Sequence, residues 1–291
     1  MKNRLIKLSL TLLLILGLVG CEGAKQKSPE VSTTGNLSVY YFDVGQGDSI
    51  LIRTNKGENV LIDGGNNDKG KQVVRYLQAL HIDTLDAVIG THPDADHIGG
   101  LDTVIDNMKV QAVYTPKVTH TTITYEDFVK AVKRKGLKLK EAKAGVSLGL
   151  SGADAVFVAP VKSYGDDLNA WSAVVKVTYG ENSFLFTGDA PVKSEKDMIA
   201  AGQNIRSNVL KVGHHGANTS TSQAFLSAVQ PEYAVISAGK GNKYGHPTAE
   251  IIKRLQANGI KIYRTDELGT ILSTSDGKNI MFTKVPSLAP Q

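Results

Sequence analysis

From residue 37 onward the chain alternates short β-branched or aromatic runs with stretches whose apolar residues recur at helical spacing. Strands are expected at 37–43, 49–54 and 59–62, with turns at Gly45-Gln46-Gly47 and Lys56-Gly57. Residues 69–80 place Val73, Val74, Leu77 and Leu80 on one helical face. A strand at 85–90, a short helix at 98–107, a strand at 112–115 and a helix at 125–135 follow, the last stopping at Gly136. Further strands are expected at 155–159, 173–179, 183–187, 209–212, 234–237, 260–264 and 270–273, and helices at 193–200, 222–229 and 248–258. The first strands form a meander and the later ones interleave with helices. That order suits an α/β fold of two sheets packed face to face with helices outside.

The first 36 residues do not share this pattern. Lys2, Arg4 and Lys7 precede an apolar run at 8–19. At about a dozen residues it is too short for a permanent bilayer span and right for a signal-peptide core. It ends Leu18-Val19-Gly20-Cys21, which resembles a bacterial lipobox with Cys21 as the lipidated residue; the alternative is a plain secretory signal with an incidental cysteine. Residues 1–21 are thus expected as a lipoprotein signal peptide and 22–36, with Pro29, Ser32, Thr33, Thr34 and Gly35, as a flexible tether. The domain is expected over 37–284 and a tail over 285–291. On this reading the chain is exported and lipid-anchored to the extracytoplasmic face of the bacterial cell membrane. Cys21 is the only cysteine, so no internal disulfide can form and the domain relies on its core. No other apolar run is long enough to cross a membrane.

Candidate chemistry is concentrated in Thr91-His92-Pro93-Asp94-Ala95-Asp96-His97-Ile98-Gly99-Gly100. Imidazoles and carboxylates are the side chains that divalent metals take from proteins. Ligands this dense cannot all face one point from a helix or a strand, so they are expected on a loop at a strand's end. Other motifs stand at strand ends too: Phe42-Asp43-Val44-Gly45-Gln46-Gly47-Asp48, Leu61-Ile62-Asp63-Gly64-Gly65, Phe186-Thr187-Gly188-Asp189-Ala190, Val212-Gly213-His214-His215-Gly216 and Tyr244-Gly245-His246-Pro247.

In that order these motifs resemble the metallo-β-lactamase fold hydrolases, over roughly residues 37 to 275. The form His92-x-Asp94-x-Asp96-His97, with Asp where the usual signature has its second His, is similar to the hydrolase domain of the ComEC/Rec2 competence proteins. The resemblance implies the four-layer αββα sandwich. It implies metal ligands at His92, Asp94, Asp96, His97, Asp189 and His215, with Asp189 bridging two ions. Of the neighbours His214 and His215, strand alternation makes one a ligand; position before Gly216 favours His215 and leaves His214 as a proton donor or phosphate contact. Asp63 would orient the metal loop, and Asp48 or Gln46 would stand near it. The family's third-motif His, expected just before Trp171-Ser172-Ala173, is missing, and Asn169 stands near its place.

With two imidazoles gone from one site, the resemblance implies one tightly held divalent ion and a weaker, oxygen-rich second, Mn²⁺ or Zn²⁺ with Mg²⁺ also admissible. The implied reaction is metal-assisted hydrolysis of a phosphodiester, with Asp96 or Asp94 steering water and His214 or His246 meeting the developing charge. DNA is the implied partner. The alternatives are a hydrolase of the same fold acting on a wall phosphoester or a lactone, and a non-catalytic binding lipoprotein. The formal charge of +5 owes three units to Lys2, Arg4 and Lys7, so the rest is only mildly basic. The local run Lys130, Lys133, Arg134, Lys135, Lys138, Lys140 and Lys143 is read first as a solvated helix face and second as a nucleic-acid contact.

Overall fold

The computed structural model describes residues 35–289. The expected signal peptide, the lipidated Cys21 and the tether up to residue 34 lie outside the described residues. The chain runs β1 (Leu37–Tyr41), β2 (Ile50–Arg53), β3 (Asn59–Ile62), α1 (Gly70–Ala79), β4 (Thr84–Leu85), β5 (Ala87–Ile89), α2 (Ala95–Ile98), α3 (Leu101–Asn107), β6 (Lys109–Val110), β7 (Val113–Thr115), α4 (Ile123–Arg134) and β8 (Leu139–Glu141). It continues with β9 (Asp154–Ala159), β10 (Val174–Tyr179), β11 (Asn182–Phe186), α5 (Val192–Ala200), β12 (Val209–Lys211), α6 (Gln223–Val229), β13 (Tyr233–Ile236), α7 (Ala249–Ala257), β14 (Lys261–Arg264), α8 (Thr265–Leu268), β15 (Ile271–Ser275) and β16 (Ile280–Lys284).

One sheet has the order β16-β15-β1-β2-β3-β5-β7-β8 and the other β14-β13-β12-β11-β10-β9. Alternation along the strands divides the apolar residues between two faces. Val39, Tyr41, Ile52 and Ile62 meet Phe157, Val175, Phe184 and Val235 in the layer between the sheets. Tyr40, Leu51, Leu61 and Val88 point the other way, onto Val73 and Leu77 of α1, Leu101 and Val104 of α3 and Phe128 of α4. On the far side Leu185, Leu210 and Ile236 pack on Met198, Phe225, Leu226, Ile251 and Leu255 of α5, α6 and α7. Strands covered on both faces read as near-continuous apolar runs, and the result is the expected αββα sandwich.

Several boundaries differ from the sequence reading. The strand expected at 85–90 breaks at Asp86, whose Oδ2 accepts the Asn59 N–H at 2.8 Å while its own N–H donates to Asn59 O. β4 then pairs with β6 in a separate two-stranded ribbon. The helix expected at 98–107 divides at Gly99-Gly100, where the Gly100 N–H donates to Gly65 O at 3.0 Å, outside the helix, and the approach is so close that a Cβ on Gly100 would stand 2.3 Å from Gly64 O. β8 and β16 were not expected; both are short edge strands, hydrogen-bonded to the sheet on one side only. The tail expected from 285 begins inside the domain: the Val285 N–H donates to Thr270 O at 2.9 Å, Thr270 Oγ1 donates to Leu288 O, and Leu288 is buried.

The basic run is not one helix face. Lys130, Lys133 and Arg134 lie on α4 and Lys140 on β8. Lys130 pairs with Glu126, Arg134 with Asp106 and Lys143 with Glu141, all at the exposed surface. Three of the seven charges are thus paired locally.

β3 runs parallel to β5, and β11, β12 and β13 are mutually parallel. In such sheets the carboxyl ends of the strands are where ligand groups gather. Both sets open on the same edge: the Ala173 N–H donates to Thr91 O at 2.9 Å, and the Gly239 N–H to Gln46 Oε1 at 3.1 Å.

Candidate metal centre

Three loops meet backbone to backbone at that edge. The Asp48 N–H donates to Asp96 O at 3.1 Å, the Gly64 N–H to His97 O at 2.7 Å and the Gly65 N–H to Asp48 O at 2.8 Å. Glycine is needed for this approach: a Cβ on Gly47, at φ +135°, would lie 2.3 Å from Asp96 O. The metal loop is thereby pinned between the Gly45–Asp48 turn and the Asp63-Gly64-Gly65 turn.

Asp63 organises the histidines. Its Oδ2 lies 2.8 Å from His97 Nδ1 and accepts Thr91 Oγ1 at 2.7 Å, while Oδ1 accepts the Thr91 N–H at 2.8 Å. With its proton committed to Asp63, Thr91 Oγ1 can accept from His92 Nδ1, 3.1 Å away. His215 Nδ1 faces Ser237 O at 3.0 Å. Each ring thus donates through Nδ1 to a fixed oxygen and leaves Nε2 as a lone pair, the usual way a ligand's outer neighbour sets its tautomer.

Those lone pairs converge. The Nε2 atoms of His92, His97 and His215 and Oδ1 of Asp189 are buried and have no hydrogen-bond partner among the described residues. His97 Nε2 and Asp189 Oδ1 are 3.2 Å apart without hydrogen-bonding geometry. His215 Nε2 lies 3.3 Å from Asp96 Oδ2 and 3.6 Å from Asp189 Oδ2, and His92 Nε2 3.5 Å from Asp94 Oδ2. Ligand atoms of His92, His97 and Asp189 lie within 4.8 Å of one another, as do those of Asp96, His97 and His215. Buried, unpaired acceptors aimed at one point cost folding energy that a cation repays. The donor set therefore fits a divalent metal, with His97 common to both groupings.

The electrostatics agree. Burial would raise Asp189, but His97 and His215 beside it hold its carboxyl well below the usual range. Burial likewise opposes the ionisation of Asp96, yet His97 and His215 bring it down to about 2. Burial would lower His215, and Asp189, Asp48 and Asp96 outweigh it, raising the ring to about 9. Protons on these rings occupy the charge that a metal would supply. Hydrogen bonding to His92 lowers Asp94 despite its partial burial.

His214 and His215 do not alternate across a strand as expected. Both adopt left-handed backbone, φ 51° and 54°, in the tight turn Gly213–Gly216 after β12. Both can therefore reach Asp189: His214 Nε2 is 3.5 Å from Asp189 Oδ2, with Nδ1 3.1 Å from Thr219 Oγ1. His215 is sealed and His214 partly open. Gln46, Asp94, Asp96, Asp189, His214, His215, Tyr244 and His246 line a cavity of about 180 Å³. His246 stands edge-on to His214 at 5.7 Å and stacks with Tyr244 at 5.8 Å.

Asn169 does not line this cavity; it lies in the turn Asn169–Trp171, where its carbonyl accepts the Ser172 N–H. Ser172 is the residue of that segment at the site, its Oγ accepting the Asp189 N–H at 3.1 Å. Sequence reasoning missed Ser172, and missed Lys211, whose Nζ lies 2.8 Å from Asp48 Oδ2 with both side chains enclosed. A lysine at the end of an apolar strand next to His214-His215 was the available signal for the latter.

Two layers of strands with helices outside, and a His/Asp cluster at the strand ends, define a metallo-hydrolase fold. The chain belongs to the metallo-beta-lactamase superfamily, whose profile matches residues 42–240. It is 33% identical over 260 residues to ComE operon protein 3 of Bacillus subtilis, covering 84% of this chain and 33% of that protein. It is 34% identical over 245 residues to competence protein ComA of Neisseria gonorrhoeae, again covering 84% of this chain and 33% of the relative. The chain thus spans about one third of the length of these relatives. Among solved structures, the metallo-beta-lactamase fold protein YhfI of Bacillus subtilis superposes with a TM-score of 0.56 at 13% identity, over 82% of this chain and 100% of that one. That likeness is one of fold.

Proposed function

We propose that this chain is a metal-dependent phosphodiesterase whose favoured substrate is DNA, held outside the cytoplasmic membrane by lipid on Cys21. The observation that carries the reading is the cavity itself, which sets ionised carboxylates, neutral imidazoles and an exposed aromatic rim around converging lone pairs.

His97, His215, Asp189 and Asp96 would hold a divalent ion, with an oxygen-richer place at His92 and Asp94, and such an ion would supply Lewis acidity toward phosphoryl oxygens and a water of lowered pKa. Asp94 and Asp96 keep 39% and 29% of their side chains open to the cavity. Both titrate below the usual carboxylate range, so at neutral pH they are ionised and can take the proton of an attacking water. Burial pushes His214 and His246 below the usual imidazole value. Neutral at pH 7, each keeps one N–H to donate to a phosphoryl oxygen.

The rim favours a nucleotide. Tyr244 is 57% exposed beside the cavity, and Lys243 Nζ lies 5.2 Å from its ring centroid. An exposed aromatic face with an ammonium next to it suits a base and its phosphate. The names of the relatives, a competence operon product and a competence protein, add support for nucleic acid.

The test is hydrolysis by the purified protein, stripped of metal and resupplied with Mn²⁺, Mg²⁺ or Zn²⁺, of single- and double-stranded DNA and of bis-p-nitrophenyl phosphate. Metal-dependent DNA cleavage that vanishes in Asp96→Ala is expected. Cleavage of the generic diester alone would move the substrate to a wall polymer or small molecule. No turnover with metal verified bound would overturn the reading. Anchoring is tested separately, by metabolic labelling with a fatty-acid analogue that should be lost in Cys21→Ala.

A further inference from the structure

Lys211 closes β12, four residues before His215, and no part of its side chain reaches solvent. An ammonium removed from water needs strong partners. Nζ has two: Asp48 Oδ2 at 2.8 Å and Val212 O at 3.0 Å. Asp48 is equally sealed. Its other oxygen, Oδ1, faces His215 Nδ1 at 3.4 Å and makes no hydrogen bond. Ligand atoms of Asp48, Asp189 and His215 lie within 4.8 Å of one another, the same closeness that marks the other metal-holding groupings. By position Asp48 is therefore fit to be a ligand. What separates it from Asp96 and Asp189 is the ammonium on its Oδ2. Of the ion pairs among the described residues, this one alone brings a lysine or arginine to the carboxylates of the cluster.

We propose that Lys211 is a positioning residue, a built-in cation that holds Asp48 out of the metal's coordination sphere and keeps it as the carboxylate facing His215. With Oδ2 occupied, Asp48 can offer the interior only Oδ1, and that oxygen faces the Nδ1 side of His215, opposite the Nε2 that a metal takes. The ammonium also places a fixed positive charge on the inner side of the cluster, which repels an ion from settling between Asp48, Asp189 and His215. The metal is thereby confined to the cavity side, where Asp94 and Asp96 are open to substrate and water. Without that charge, Asp48 is a buried carboxylate in want of a cation, with the metal as its nearest candidate.

The experiment is thermal unfolding with and without saturating Mn²⁺, together with a Mn²⁺ titration, on the wild type, Lys211→Met, Lys211→Gln and the double variant Asp48→Asn/Lys211→Met. The expected result is a Mn²⁺-induced rise in Tm that is larger in both single variants than in the wild type, with Mn²⁺ bound about tenfold more tightly, a size typical of changes around metal ligands. The double variant should return the Mn²⁺ effect to wild-type size, because the freed carboxylate is gone. An unchanged or smaller Mn²⁺ effect in the single variants overturns the proposal, and so does an enlarged effect that survives Asp48→Asn. If Lys211→Met does not fold, Lys211→Gln decides by the same two outcomes, since it removes the charge and the reach to Asp48 Oδ2 while filling most of the space. None of these readouts needs a substrate, so the absence of phosphodiesterase activity would leave the proposal standing.

Discussion

Oδ2 of Asp63 lies 2.8 Å from Nδ1 of His97, with both side chains fully enclosed, and the same oxygen accepts the hydroxyl of Thr91. Through Thr91 it also reaches His92. One carboxylate that touches no substrate thus sets the tautomer of two rings. Asp63→Ala should weaken Mn²⁺ binding by about 10–100-fold, the usual cost of losing such a partner, and Thr91→Val should act mainly through His92. Titration of the metal-free proteins, with circular dichroism to verify the fold, checks this. Wild-type affinity in Asp63→Ala would show that the rings hold themselves.

Gly47 makes a second, purely steric demand. A methyl there would stand 2.3 Å from Asp96 O, against a backbone that cannot swing aside as a long side chain can. Gly57, at φ +82° in the turn between β2 and β3, has nothing within 4 Å of the same added atom. Gly57→Ala should therefore cost only the left-handed strain, about 1 kcal/mol. Gly47→Ala should cost more and also displace Asp96, so that Mn²⁺ affinity and Tm fall together. Equal losses in the two variants would contradict the close approach.

His214 and His215 divide their work by burial. His215 is sealed with Nε2 unpaired among the ligands, whereas His214 is 27% exposed and held by Thr219. His215→Ala should abolish tight metal binding. His214→Ala should keep the metal while lowering kcat by about 10²-fold or more, the range for a positioned hydrogen-bonding or proton-transfer group. Metal content by elemental analysis alongside rates on bis-p-nitrophenyl phosphate separates the two. Metal loss in both would place His214 among the ligands.

The convergence of these side chains was legible in the sequence because they ride on motifs at strand ends, where apolar period and glycine punctuation fix the local structure. His92, Asp94, Asp96 and His97 share one loop, while Asp189 and His215 come from two later segments that the parallel strands bring to the same edge. What escaped was set by tertiary contact. Lys211 stands out as a lysine ending an apolar strand, but its partner Asp48 is 163 residues away and no local pattern joins the two. Ser172 matters through its Oγ on the Asp189 N–H, a contact across strands that no spacing encodes. β8 and β16 are edge strands placed by their pairing with β7 and β15. The paired left-handed residues His214 and His215 defeated the alternation rule because the turn begins before either.

The loop that carries Thr219 hangs on another carboxylate, and this gives stability a pH dependence. Glu195 of α5 is 2% exposed and accepts the backbone N–H groups of Thr221 and of Ser222, the latter at 3.0 Å. Burial raises its pKa above the ordinary 4.5, although those N–H groups and Arg254 oppose the shift. The folded protein thus binds this proton more tightly than the unfolded chain. Its contribution to stability is fully present below pH 4.5 and is lost as pH rises through the higher folded value. Glu195→Gln keeps one acceptor and cannot ionise. The wild type's stability relative to this variant should therefore fall between pH 4 and pH 7, read from urea unfolding at several pH values. A relative stability that climbs over the same range would mean that the N–H donors and Arg254 outweigh burial, and that Glu195 serves the Thr219 loop as a stabilised anion.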